Sequence, residues 1–250
     1  MDILARIYNP CAVEQPCKNN GTCIVNHNNG TFRCECNEHY TGTQCERLAP
    51  PKSIGNLNCA GQVLNLCKQH MTAWKATILG PTSLDLMSCN PKDVENTTEL
   101  LVFVSRADVS DYGSYEIVRV KDNIGCIVTL LTPMNKTLSG SPCEIIAQRL
   151  PNFDNVTLSQ SCQLTCNARS GVVGGILALR AAKLTIDSSS KIDVNGKGKE
   201  TNYKLHNTEC ANTLIFSYSK TAILSSDIFK RLSVDRHALR AFVIVLIALT

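Results

Sequence analysis

Residues 11–45 read CAVEQPCKNNGTCIVNHNNGTFRCECNEHYTGTQC. Six cysteines fall within these 35 residues, spaced C-x5-C-x5-C-x10-C-x-C-x8-C. So short a segment buries too little apolar surface to offset the entropy of ordering its chain, and cross-links must constrain it instead. The cysteine count alone leaves the pairing open. A metal knuckle would favour repeated C-x2-C pairs, so the residues read as a disulfide framework, with no metal and no other cofactor expected.

Detail beyond the spacing narrows the reading. Within Cys34-Glu35-Cys36-Asn37-Glu38-His39-Tyr40-Thr41-Gly42-Thr43-Gln44-Cys45, a C-x-C pair is followed by the aromatic Tyr40 and by Gly42, which suits a tight turn at positive φ. Phe32 precedes Cys34 by two residues, and Asn28-Asn29-Gly30 is a strong hairpin turn signal. In these features the segment resembles the epidermal growth factor-like family. The resemblance implies bridges Cys11–Cys23, Cys17–Cys34 and Cys36–Cys45. It also implies O-fucosylation at Thr22, the hydroxyl residue before the third cysteine; the same loop carries the N-glycan sequon Asn20-Gly21-Thr22. O-glucosylation is not expected, since Cys11-Ala12-Val13-Glu14-Gln15-Pro16-Cys17 lacks the serine of that pattern. His39 departs from the Gly or Pro usual in the family. Calcium-binding members need hard oxygen ligands around the first and third cysteines, whereas this chain offers Asn9 and places Val25 at the second position. No calcium affinity tighter than millimolar is expected. Receptor-activating members end in Tyr-x-Gly-x-Arg-Cys, and Gln44 stands here in place of that arginine.

The whole chain of 250 residues carries 14 cysteines and five Asn-x-Ser/Thr sequons, at Asn20, Asn29, Asn96, Asn135 and Asn155. Both features fit a secretory route, so the protein is expected to be secreted or at the cell surface. The remaining cysteines, Cys59, Cys67, Cys89, Cys126, Cys143, Cys162, Cys166 and Cys210, allow four more bridges whose pairing the sequence does not give. Met1 to Arg6 has neither a basic start nor an apolar stretch of signal-peptide length, which implies that the true N-terminus is missing from this sequence. A chain kept in a reducing cytosol would not form the framework.

A formal charge of +4 and a pI near 8.4, with no basic stripe interleaved with aromatics, give no footprint for nucleic acid. The organisation reads as a module at 7–46, a linker at 47–54 centred on Pro50-Pro51, a β-rich domain at 55–200 and an irregular tail at 201–250. The domain shows Leu100-Leu101-Val102-Phe103-Val104 as a buried-type run, then Tyr115 to Val120 in alternation and Cys126 to Leu131 after a turn. Short strands at Gly174–Arg180, Leu184–Asp187 and Ile192–Gly196 recur about every eight residues, as the rungs of a β-helix would. Residues 98–198 are also similar to a β-solenoid-type region of large surface and adhesion-like proteins. The fold class is therefore mainly β: a small disulfide-rich EGF-like module followed by a β-helix or solenoid-like domain. The alternative is an immunoglobulin-like sandwich, suggested by Asp111-Tyr112-Gly113-Ser114-Tyr115. That match fails at Ile117, where a core cysteine is usual, and at Trp74, too close after Cys67.

No catalytic residues are assigned. Asp187 and Asp193 keep open a carbohydrate-cleaving alternative, but the turn Ser188-Ser189-Ser190-Lys191 interrupts any shared face, and they read as solvated outer-face and turn residues. No G-x-S-x-G or H-E-x-x-H pattern occurs, and His70, His206 and His237 read as surface or packed histidines. Ala241 to Thr250 is an apolar run too short to span a bilayer, read as a truncated end or, second, as an anchor signal offering membrane attachment. The expected function is non-enzymatic adhesion or protein binding outside the cell, with an extracellular protein or glycan as partner. The alternatives are a secreted polysaccharide-active β-helix enzyme and a soluble growth-factor-like ligand.

Overall fold

The computed structural model describes residues 9–106, 114–135, 144–168, 176–194 and 197, and the backbone of 214–218, 232–233 and 242–247. Two compact units divide the chain, Met1–Pro51 and Lys52–Thr250, with the boundary inside the expected linker.

In the first unit, helix α1 (Pro10–Val13) starts where Asn9 Oδ1 accepts from the Cys11 and Ala12 amides at 3.0 and 3.2 Å, and Pro10 supplies a helical φ at its first position. Strands β1 (Thr22–Asn26) and β2 (Thr31–Glu35) form an antiparallel hairpin with Cys23 opposite Cys34 and Val25 opposite Phe32. A small ladder follows between β3 (Tyr40–Thr41) and β4 (Arg47–Leu48), so the first two residues of the expected linker belong to the module. Gly42 has φ +105, as the turn reading required.

The second unit begins with β5 (Leu57–Ala60), β6 (Val63–Asn65) and the short helix α2 (Leu66–Gln69). Six strands then close on themselves: β7 (Ala73–Gly80), β8 (Ser83–Leu86), β9 (Glu99–Arg106), β10 (Tyr115–Ile124), β11 (Ile127–Leu130) and β12 (Glu144–Arg149). All their pairings are antiparallel and run β10-β11-β8-β7-β12-β9, with β9 returning to β10. Closure leaves no open edge. This barrel occupies the stretch where the alternative reading put a sandwich. Ile117 packs toward the β-helix core and Trp74 is buried in the barrel core; Asp111, Tyr112 and Gly113 lie outside the described residues.

Parallel pairing resumes after the barrel with β13 (Asn152–Ser159), β14 (Gln163–Thr165), β15 (Ile176–Ile186) and β16 (Lys191–Asp193). Asn152 lies opposite Arg180 and Gln163 opposite Lys191, a step of 28 residues in both sheets. That equal step in two parallel sheets, linked by short corners, is a β-helix-like arrangement. β5 and β6 form the preceding rung, with Leu57 opposite Val156 and Leu64 opposite Leu164. The barrel is thus inserted between the first two rungs.

Two expectations are corrected here. The β13–β14 and β15–β16 rungs are 28 residues apart where strands were expected about every eight, because β15 runs unbroken from Ile176 to Ile186: Ala181-Ala182-Lys183 holds no turn former and lies within the stretch, 180–186, paired to β13. The tail also is not wholly irregular. It contributes β17 (Leu214–Tyr218), β18 (Leu232–Ser233) and β19 (Phe242–Ile247), and β19, drawn from the apolar C-terminal run, lies between β15 and β17 as a parallel strand.

Barrel and β-helix share one wall. Along β9, Leu100, Val102 and Val104 face the barrel core while Leu101 and Phe103 join the core of the β-helix, which is why the sequence there is apolar without alternation. Glu99, 8% exposed, marks the start of that wall: it pairs with Arg119 of β10 at 3.1 Å and with Arg180 of β15 at 2.9 Å.

Candidate functional site

Because the module lacks a core of its own, its cross-links carry the fold. Cys11–Cys23, Cys17–Cys34 and Cys36–Cys45 are bonded, with Cα separations of 5.6, 5.5 and 5.4 Å. Gly21 lies so close to the third bridge that a Cβ there would come within 2.6 Å of Cys45 Sγ. Cys45 and His39 are the buried side chains near this end, and His39 Nδ1 has no hydrogen-bond partner. His39 Nε2 lies 3.8 Å from Glu38 Oε1, and among the described residues no group of three or more His, Cys, Asp or Glu side chains is placed to hold a metal ion.

The hairpin displays apolar side chains on both of its faces. Val25 and Phe32 form a cross-strand pair on the face that carries the Cys23 and Cys34 positions, while Ile24 and Arg33 pair on the other. All but Arg33 are half-buried, since a module this thin has no second layer to cover them. An open groove of about 490 Å³ runs along these residues, with Asn26 and His27 at its end.

Every sequon asparagine is exposed. Asn20 sits in a turn at φ 60 just before Thr22, itself exposed at the start of β1. Asn29 Oδ1 accepts from the Thr31 hydroxyl at 2.7 Å, and the Asn155 amide donates to Asn56 Oδ1 at 2.8 Å. Asn135 Nδ2 donates to Glu116 Oε1 at 3.2 Å, and Asn96 stands in the turn before β9.

The carboxylates weighed for catalysis have structural partners. Asp187 Oδ2 accepts from the Gln160 amide at 2.6 Å, and its Oδ1 accepts from the Ser189 amide and hydroxyl, each at 3.0 Å. Ser189 and Ser190 hydroxyls accept from the Ser161 and Cys162 amides at 2.8 and 3.0 Å. Gln160 and Ser161 hold positive φ and so turn these amides away from their own sheet, toward the next rung. The Asp187–Ser190 corner thus satisfies the corner beneath it. Hydrogen bonds from the Ser190 side chain first, and from these amides, hold the Asp187 carboxyl at about 2, below its usual 3.8. Asp193 is 8% exposed and meets Lys191 at 2.8 Å.

A pH dependence follows. A depressed folded-state value means that the stabilisation from Asp187 is complete above about pH 4 and is lost as the pH falls toward 2. Asp187→Asn is expected to unfold at lower temperature than the native chain at pH 6 and to match it near pH 2. Thermal unfolding followed by circular dichroism across that range checks this, and a constant difference at every pH would remove the carboxylate from the account.

His70 stacks edge-on against Phe153 with ring centroids 5.5 Å apart, and burial followed by Arg149 lowers its proton affinity. It is a packed histidine. His206 and His237 lie outside the described residues, as do Cys143 and Cys210. Of the other cysteines, Cys59 pairs with Cys162 and Cys89 with Cys126, whereas Cys67 and Cys166 are unbridged. Spacing alone could not show these pairings, since the Cys59–Cys162 partners are 103 residues apart. Among the described residues no helix is long and apolar enough to cross a membrane.

Comparison with known proteins bears on the module. No curated protein matches the chain. Among solved structures it is similar to the Gp54 tailspike of Acinetobacter baumannii bacteriophage AP22 in complex with A. baumannii capsular saccharide, at 15% identity and a TM-score of 0.25. That match covers 59% of this chain and 31% of the tailspike chain. A disulfide-built module of this kind fits an extracellular, protein-binding setting. The family described as EGF-like domain matches residues 11–44, and with its three bridges and hairpin in place this segment is an EGF-like domain.

Proposed function

We propose that the chain is a secreted or cell-surface protein with no enzymatic role, acting in adhesion or protein binding through its EGF-like module. An extracellular protein or a glycan is the partner. The observation that carries this reading is the hairpin, where Val25 and Phe32 on one face and Ile24 on the other remain half-covered along an open groove. Aromatic and branched side chains left in this state are what a partner buries at the centre of an interface. Arg33, across from Ile24, already donates to Glu35 Oε1 at 2.9 Å at the exposed edge of the hairpin.

Flow cytometry with the labelled, secreted full chain on adherent cells tests the reading. Saturable binding that Ile24→Asp with Arg33→Glu weakens about tenfold or more is expected, with the three bridges verified by mass in both proteins. Prior protease or glycosidase treatment of the cells separates a protein partner from a glycan. Binding that ignores the hairpin substitutions, or release of reducing sugar from a polysaccharide by the native chain, would sink the proposal.

A further inference from the structure

Two thiols stand outside the five bridges among the described residues, and the fold brings them together. β6 and β14 pair with Asn65 opposite Thr165, so Cys166 directly follows its strand and Cys67 lies one position further along, in α2. Asn65 holds that geometry from both ends. Its Oδ1 accepts from the Cys67 amide at 3.1 Å, and its Nδ2 donates to Asn167 Oδ1 at 2.8 Å. Both thiols pack on one core, Cys166 fully buried within it and Cys67 half-buried against it, with Cys67 Sγ 3.8 Å from the Ile176 carbonyl oxygen. Each thiol is the strongest influence on the other's proton, and the Cys67 thiol donates to the Ile176 carbonyl oxygen.

From this placement we propose that Cys67 and Cys166 are a dithiol that closes to a disulfide by exchange with an external disulfide. The product is a second cross-link between the first two rungs, beside Cys59–Cys162. The two sulfurs differ in the way the exchange needs. The neighbouring Cys166 brings the Cys67 thiol down to about 7, and solvent reaches half-buried Cys67, which makes it the attacking group. Cys166, its proton held by the neighbouring Cys67 and by burial, keeps it longer and acts second.

In the first step the Cys67 thiolate attacks one sulfur of the donor disulfide. A mixed disulfide forms as the donor S–S bond breaks, and one donor thiol leaves with a proton. Cys166 then gives its proton to solvent and attacks Cys67 Sγ, expelling the second donor thiol. The protein dithiol is oxidised by two electrons and the donor disulfide is reduced to two thiols. The chemistry requires only a donor disulfide, so it stands apart from the choice of binding partner.

The test uses the purified full chain, reduced and then exposed to glutathione disulfide. Peptide mapping without reduction is expected to find Cys67 linked to Cys166, with the loss of these two alkylatable thiols. The Cys166→Ser variant is expected to retain glutathione on Cys67, since the resolving thiol is gone. The proposal fails if both thiols still alkylate after Cys59–Cys162 and Cys89–Cys126 have closed, or if Cys67 is found joined to Cys143 or Cys210. The native map decides even where the variant does not fold.

Discussion

Replacing Cys59 and Cys162 together with alanine is expected to lower the unfolding free energy of the second unit by about 4–5 kcal/mol. The bridge joins residues 103 apart in sequence and encloses the whole barrel insertion. In the chain-entropy account, a cross-link closing a loop of about 100 residues removes roughly 4.7 kcal/mol of freedom from the unfolded chain. Both sulfurs sit in the core of the β-helix, Cys59 1% and Cys162 0% exposed, so the truncations also leave small gaps there. The measurement belongs in a Cys67→Ser background, where no second cross-link can span nearly the same loop. Trp74, the single tryptophan and buried in the barrel, reports the transition by fluorescence in urea. A loss under about 1 kcal/mol would mean that strand pairing alone sets the two rungs around the insertion.

That insertion also explains what the sequence could and could not disclose. The module was legible because six cysteines at fixed spacing constrain a short chain, and every pairing there is local in sequence. Leu100 to Val104 announced a strand buried on both faces, yet nothing in those residues tells whether the second face meets a helix, a sheet or another barrel wall. The β-helix character was legible at Ile192 and Val194, but its 28-residue step was not: the eight-residue rhythm counted halves of β15 as separate strands. The first rung, β5 and β6, is separated from the second by the barrel, so its partnership with β13 and β14 depends on closing a long loop that leaves no local trace. Asp187, a carboxylate near a turn, accepts from the Gln160 and Ser189 amides of that corner. Glu99 and Arg180 went unremarked. The available signal was a single charged residue opening an otherwise apolar run, which in a strand buried on both faces calls for a partner.

Glu99→Gln is expected to cost about 3–5 kcal/mol, close to the effect of the lost bridge, although no covalent bond changes. The carboxylate accepts from Arg119 Nη2 at 3.1 Å through one oxygen and from Arg180 Nε at 2.9 Å through the other, and the side chains of Arg119 and Arg180 are 12% and 21% exposed. Glutamine keeps the shape but removes the charge, leaving two largely buried guanidinium groups beside a neutral amide. The three residues come from β9, β10 and β15, so the loss falls on the seam between barrel and β-helix and not inside either. A midpoint temperature lower by on the order of 10 °C is the expected readout for a unit of this size. The seam role is separable from a plain packing role. Adding Arg180→Met to Glu99→Gln removes one stranded charge and is expected to recover part of the loss, whereas Arg180→Met alone leaves the Glu99–Arg119 pair and is expected to cost less than Glu99→Gln. Strictly additive losses across this cycle would show that the two side chains act independently, and the ion cluster would then not be what ties the barrel to the rungs beneath it.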